Sequence, residues 1–284
     1  MRRILKKLIG KRQGAEDSPA GRARATRHHI ATEIRGHVFL IGFDRAAKRN
    51  AVTPDMAREL ARAYGEYERS DCRCGVVFAD GEDFTIGLDL KAFRPEMRRE
   101  SWAPEEDGQI HPWGLTPPYR TKPMIAAVQG YCYTAGLELA LACDIVVAAD
   151  NTRFGQLEIR RGLMPFGGAT TRLVERAGWG NAMRYLLTSD AFDAREAYRL
   201  GVVQEIVETG KQLERALELA ELISIQAPLG VRGTLEAARR AVDEGAEAAH
   251  AALDRQRLEI VASSDAREGV MALVQKRKPR FTGS

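Results

Sequence analysis

The sequence has no uninterrupted apolar run approaching the ~20 residues needed to span a bilayer, which excludes a transmembrane helix of ordinary length. Cysteine is scarce: Cys72, Cys74, Cys132 and Cys143 are the only four. Cys72-x-Cys74 lacks zinc-finger spacing and no second pair follows it. Cys132 and Cys143 lie among apolar residues and read as small buried thiols. No disulfide framework is expected, and this usage suits a reducing, cytoplasmic setting. The five histidines, His28, His29, His37, His111 and His250, show no ligand spacing, so no metal is expected. Basic and aromatic residues do not interleave in the manner that stacks nucleic-acid bases, and there is no internal repeat.

What is present reads as a soluble globular chain. Its 284 residues allow one large domain or a core with an appendage, and 44% hydrophobic with 29% charged residues is ordinary for that class. The net charge is +4. Much of the excess falls in the first 30 residues, with a smaller cluster at Lys276, Arg277, Lys278 and Arg280. A basic end attracts phosphates, anionic lipid or nucleic acid; a solvated tail is the simpler reading. The start, MRRILKKLIGKRQG, has too short an apolar run for a secretory signal, and Glu16 and Asp17 depart from a transit peptide.

Along the chain, residues 1–28 form a basic, irregular tail expected to be dispensable for chemistry. HVFLIGF, residues 37–43, reads as a strand. A helix follows with Thr53 as N-cap, Pro54 at its first position and Asp55 in its first turn. GVVFA, MIAAVQG, DIVVAA and VVQEIV are apolar runs with the length of buried strands. GLELALAC is too apolar for a surface helix and should be buried. Strands alternating with helices predict a mainly parallel sheet with crossover helices. Beyond residue 210 only helical periodicity remains. The expected division is therefore a tail (1–28), an α/β core (29–210) and a helical region (211–284). Residues 94–120 carry five of the eleven prolines and two of the three tryptophans, and a long irregular segment within a domain is commonly functional or disordered.

Two segments carry candidate chemistry. GEDFTIGLDLKAF and GYCYTAGLELALAC each run from a strand through a small-residue turn into a helix. Backbone N–H groups at a helix start are unsatisfied and hold anions. Two such turns could aim two donors at one oxygen, an oxyanion hole; each alone is also an ordinary turn. Neither matches a P-loop or a dinucleotide fingerprint. Glu138 sits one turn into the apolar helix, and Glu158 follows the next strand. A carboxylate buried among apolar residues is protonated, paired or functional, and two in one pocket suit acid–base work. Exposure, or pairing of Glu158 with Arg160 or Arg161, is the alternative. His111, beside Trp113, reads as a loop histidine, with a place in a pocket wall left open.

Taken together, GLDL, GYCYTAGLELALACDIVVAADNTRFGQLEI, GLMPFGGATTRLVERAG and LGVVQEIV resemble the crotonase, or enoyl-CoA hydratase-isomerase, superfamily over residues 30–281, closest to enoyl-CoA hydratase. The resemblance implies an α/β fold: a ββα spiral superfold with a helical C-terminal trimerisation region, assembled as a trimer or dimer of trimers. It implies an acyl-CoA thioester substrate, with coenzyme A as part of that substrate and no separate cofactor. Residue by residue, it implies oxyanion donors at Leu88 and Ala135, and substrate alongside Leu88, Asp89, Leu90 and Lys91. Lys48 and Arg49 fall where the adenine end packs, and Glu138 and Glu158 fall on both hydratase glutamates. The reaction implied is addition of water to a 2-enoyl-CoA. A double-bond isomerase or another crotonase-type reaction is the alternative, and an RNA-binding member of the fold the remaining one. Hydratases often have three glycines where this chain has Thr134, Ala135 and Gly136. A positive φ at Thr134 would then cost about 1–2 kcal/mol.

Overall fold

In the computed structural model, residues 28–99, 104 and 106–284 are described; the expected tail, up to residue 27, lies outside them. The described part of the chain opens with a hairpin, β1 (Ile30–Arg35) antiparallel to β2 (Val38–Phe43), which turns at Gly36. The sequence reading had no strand at β1. Its six residues are half-buried or exposed and show no period-two apolar pattern, because it is an edge strand with little core to face. Helix α1 (Pro54–Arg69) leads to β3 (Cys74–Ala79), parallel to β2. Thr53 caps α1 as expected, its hydroxyl accepting the Met56 N–H at 3.2 Å. Met56, Leu60, Tyr64 and Tyr67 recur at helical spacing and are buried in the core; burying each such side chain stabilises the fold by about 1.5–3 kcal/mol.

A four-residue helix, α2 (Leu90–Phe93), precedes the irregular segment. Then come β4 (Met124–Val128), β5 (Tyr131–Tyr133) and α3 (Ala135–Ala142), followed by β6 (Ile145–Ala149), β7 (Arg153–Gly155) and a 3-10 turn at Glu158–Arg161. Helices α4 (Ala169–Ala177) and α5 (Trp179–Thr188), strand β8 (Phe192–Asp193), helix α6 (Ala194–Arg199) and β9 (Glu205–Val207) complete the core. One six-stranded sheet has the order β1-β2-β3-β4-β6-β9, and a smaller one the order β5-β7-β8. All neighbours from β2 to β9 in the large sheet are parallel. The successive pairs β4/β5, β6/β7 and β8/β9 each place one strand in the large sheet and one in the small. β4 and β6 are nearly all apolar, as strands covered on both faces must be. Helix α3 is buried from Ala135 to Leu141, as its composition predicts.

The remaining chain is helical: α7 (Gln212–Ser224), α8 (Pro228–Asp243), α9 (Ala246–Val261) and α10 (Ser264–Val274). Ala216 and Ala220 of α7 pack under the large sheet against Leu40, Val76 and Ile125. Helix α8 is tied to the core by Arg239, which meets Asp144 at 3.0 Å; Asp144 also takes Arg120 at 2.6 Å and the Met124 N–H at 2.7 Å. Burial pushes the Asp144 carboxyl up, but the two guanidinium groups outweigh it and hold its pKa below the usual value. No described helix is long and apolar enough to cross a membrane.

Candidate active site

The two glycine-containing turns lie against each other. Thr85 donates its N–H to Tyr131 O at 2.9 Å and accepts from Tyr133 N at 3.0 Å, so the Thr85–Leu88 loop runs beside β5. Gly87 adopts φ +96°, and a Cβ there would lie 1.7 Å from Thr134 Oγ1. Only glycine permits both the conformation and the approach. Thr134 itself adopts φ 51°, ψ −119°, outside the regions an L side chain prefers. The positive φ expected if Thr replaces Gly is therefore realised. Backbone strain of this kind persists where the surroundings over-determine it; here the Thr134 N–H is fixed to Gly155 O at 2.8 Å.

This packing brings Leu88 and Ala135 to one cavity of about 260 Å³. Leu88 is flanked by two ladder bonds, Val52 N to Gly87 O and Asp89 N to Val52 O, both 2.8 Å, which use neighbouring groups and leave its own N–H unengaged among the described residues. Ala135 is the first residue of α3, where an N–H has no intrahelical acceptor. Trp113 fixes that first turn from the irregular segment, donating Nε1–H to Ala135 O at 2.8 Å.

Both glutamates line the same cavity. Glu138 is 4% exposed. Its Oε1 accepts the N–H of Gly167 at 2.7 Å and of Ala169 at 3.2 Å. Ala169 begins α4, so the carboxylate sits at a helix N-terminus, which favours the charged form. A Cβ on Gly167 would lie 2.4 Å from Glu138 Oε2; the absence of a side chain lets that donor approach. Burial still outweighs these two bonds and the Arg172 charge, so the Glu138 pKa is raised.

Glu158 stands at the start of the 3-10 turn after β7. Burial raises its pKa to about 7, with the Glu138 charge adding to the rise and nearby backbone N–H groups and Arg161 opposing it. The Gln156 amide lies 2.9 Å from both Glu158 oxygens. With its nitrogen toward them it donates to an ionised carboxylate. With its oxygen toward them it accepts from a protonated one, while Nε2 donates to Thr134 O at 3.3 Å. The amide thus has a partner arrangement for either state of Glu158. Arg160 is engaged at Asp190, 3.8 Å away, and the Arg161 guanidinium at Leu157 O, 3.2 Å.

A carboxyl whose folded pKa lies above its ordinary value of 4.5 destabilises the fold as pH rises. Unfolded chains ionise first, so stability is lost between about pH 4.5 and 7. Glu158→Gln should remove this loss. Its melting advantage over the wild type should grow between pH 5 and pH 8, by about 1–2 kcal/mol after discounting for partial exposure. A difference that does not change with pH would contradict the raised pKa.

The other expected contacts divide. Leu88 and Leu90 line the cavity; Lys48, Arg49, Asp89 and Lys91 do not. Arg49 pairs with Asp83 at 3.1 Å and lies over the Tyr131 ring, whereas Asp89 caps α2 and pairs with Arg45 at 3.1 Å. Sequence reasoning missed Gly167, Ala169, Gln156 and Arg172; the only local signal was the Gly167-Gly168 pair ahead of a helix. His111 lines the wall. All four cysteines are free and buried, and no group of three or more potential metal ligands occurs among the described residues.

Known proteins resemble this chain over most of its length. A family model described as enoyl-CoA hydratase/isomerase matches residues 33–284. The chain is 33% identical over 254 residues to the enoyl-CoA hydratase EchA19 of Mycobacterium tuberculosis, covering 88% of this chain and 94% of that one. It is 35% identical over 252 residues to the 2,3-dehydroadipyl-CoA hydratase of Escherichia coli, covering 87% and 95%. The crystal structure of a probable enoyl-CoA hydratase/isomerase from Mycobacterium abscessus superposes with a TM-score of 0.88 at 45% identity, covering 90% of this chain and 99% of that one. With the ββα repeats, the apposed turns and the near-complete coverage, the chain belongs to the enoyl-CoA hydratase/isomerase family of the crotonase superfamily.

Proposed function

We propose that the chain hydrates 2-enoyl-CoA thioesters, with Glu138 and Glu158 as the acid–base pair and the Leu88 and Ala135 N–H groups as the oxyanion hole. The observation that carries this reading is two carboxylates in unlike surroundings on one cavity also lined by Leu88 and Ala135, whose N–H groups have no acceptor among the described residues. Glu138, held by two N–H groups, is the ionised partner and takes a proton from water as the oxygen attacks the β-carbon. Glu158, with a pKa of about 7, carries the proton delivered to the α-carbon. The thioester oxygen gains enolate charge between these steps, and fixed donors in a dry site stabilise that charge. Water supplies one proton and one hydroxide, no electron is transferred overall, and the proton left on Glu138 returns to Glu158 before the next turnover. Lys48 and Arg49, outside the cavity, are left for the adenine end of coenzyme A.

Incubation with crotonyl-CoA tests this: loss of the conjugated thioester absorbance with formation of the 3-hydroxyacyl-CoA is expected. Bond migration on a 3-enoyl-CoA without water addition would make the enzyme an isomerase instead.

The assembly belongs to the same reading. Val242, Leu258, Val261, Val270, Leu273 and Val274 on α8 to α10 are each more than half exposed. So much apolar surface on three consecutive helices supports an interface between copies of the chain. A trimer or a dimer of trimers is expected by light scattering at micromolar concentration, and a monomeric mass would overturn it.

A further inference from the structure

The hydration chemistry leaves two buried polar side chains of the cavity wall unused, Gln109, which donates to Glu106 at 2.7 Å, and His111. His111 is 5% exposed and lines the same cavity as the apolar Ala57, Ala61 and Phe93. Its Nδ1 accepts the Trp113 backbone N–H at 3.2 Å, and the ring stands edge-on to Trp113 with centroids 6.0 Å apart. A ring nitrogen that accepts carries no proton, so the neutral ring bears its proton on Nε2. Burial, with the Arg172 charge, lowers the His111 pKa to about 4, so the ring is neutral at working pH. Nε2–H has no hydrogen-bond partner among the described residues, yet it is not among the buried polar atoms sealed from solvent. It therefore faces the open space of the wall that His111 lines. Trp113 is itself pinned to Ala135, which fixes the donor relative to the oxyanion turn. Once a bound acyl chain displaces water from beside it, a fixed donor left without an acceptor costs free energy, and a chain that supplies the acceptor avoids that cost.

From this we infer that His111 selects acyl chains that carry an oxygen acceptor beyond the reacting double bond, whether ketone, hydroxyl or carboxylate, over plain alkyl chains of equal length. The inference rests on the proposed function only in taking the cavity to hold the acyl group. Binding of unreactive saturated thioesters tests it without chemistry. Calorimetry would compare pentanoyl- to octanoyl-CoA with matched chains ending in a ketone, a hydroxyl or a carboxylate, on the wild type, His111→Phe and His111→Gln. At the matching length, at least one oxygen-bearing chain should bind about ten- to a hundredfold tighter than its alkyl partner, and the arm with the largest ratio names the group. That ratio should fall towards one in His111→Phe, which keeps the ring shape and loses the donor. It should largely survive in His111→Gln, whose amide N–H reaches the Nε2 position. A wild-type ratio near one in every arm, or an undiminished ratio in a folded His111→Phe, overturns the inference. The wild-type ratio decides by itself where a variant does not fold. A protein that shows the ratio but hydrates no 2-enoyl-CoA upholds this inference and removes the hydratase reading.

Discussion

Glu158→Gln and Glu138→Gln should each lower kcat/KM for the best 2-enoyl-CoA by ~10²–10⁴, the usual contribution of a positioned acid or base, while binding of saturated acyl-CoA thioesters stays within a few fold. The two substitutions should not behave alike with pH. Only the pair carrying a single proton is competent, with Glu138 ionised and Glu158 protonated. Glu158 has a pKa of about 7; below it the proton is present, and above it the proton is lost. kcat/KM should therefore fall as pH rises through about 7, tenfold per unit once past it. Hydration neither consumes nor releases a proton overall, so the equilibrium constant is independent of pH. The reverse dehydration must then lose kcat/KM through the same limb. The two carboxyls interact, so the limb belongs to the pair rather than to one residue. In Glu158→Gln that limb should vanish from the residual activity. Initial rates in both directions across the pH range measure all of this. Near-normal activity in both variants, or a profile with no limb near pH 7, would end the acid–base assignment.

The difference between the glutamates was not visible in the chain. Both read as carboxylates among apolar residues, and the motif order made them a pair. What sets them apart arrives from a distance. Gly167 and Ala169 lie 29 and 31 residues beyond Glu138 and reach it only because α4 starts against α3. Gln156 reads as an ordinary polar residue two positions before Glu158 until β7 carries it to Thr134 O. The legible features were those in which local chemistry and tertiary environment agree. The Thr53–Pro54 start of α1, the buried runs of β3, β4 and β6, and the apolar helix α3 all belong to this class. β1 escaped because an edge strand needs no apolar alternation. For His111 the sequence leaves a place in a pocket wall open, and it does line the cavity; the role of Trp113 escaped for another reason. Their segment has no periodicity, and Trp113 acquires its role from a carbonyl 22 residues away.

The Ala135 turn offers the sharpest test of where the thioester oxygen is held. Ala135→Pro should lower kcat by ~10²–10³, the cost of one lost oxyanion donor, whereas Ala135→Gly should be mild. Proline removes the N–H, yet the first position of a helix is where proline is best tolerated, because that N–H has no intrahelical acceptor. Helix α3 should therefore survive. The strained point is the residue before it. Thr134 sits at φ 51°, ψ −119°, far from the extended region that a following proline favours, and Gly87 packs closely against it. Some repacking there is expected, so circular dichroism and sizing must first show a folded, assembled variant. Glycine keeps the donor and costs only about 0.5–1 kcal/mol in backbone entropy, against the ~2.7–4 kcal/mol of transition-state stabilisation that one donor supplies. A second readout separates lost polarisation from a displaced Glu138. Two donors on the carbonyl oxygen draw charge along a conjugated thioester and shift its bound absorbance to the red. That shift should shrink in Ala135→Pro and persist in both glutamate variants. A folded Ala135→Pro enzyme with near-normal turnover and an undiminished shift would mean that the oxygen is held elsewhere, and the enolate mechanism at this turn would have to be abandoned.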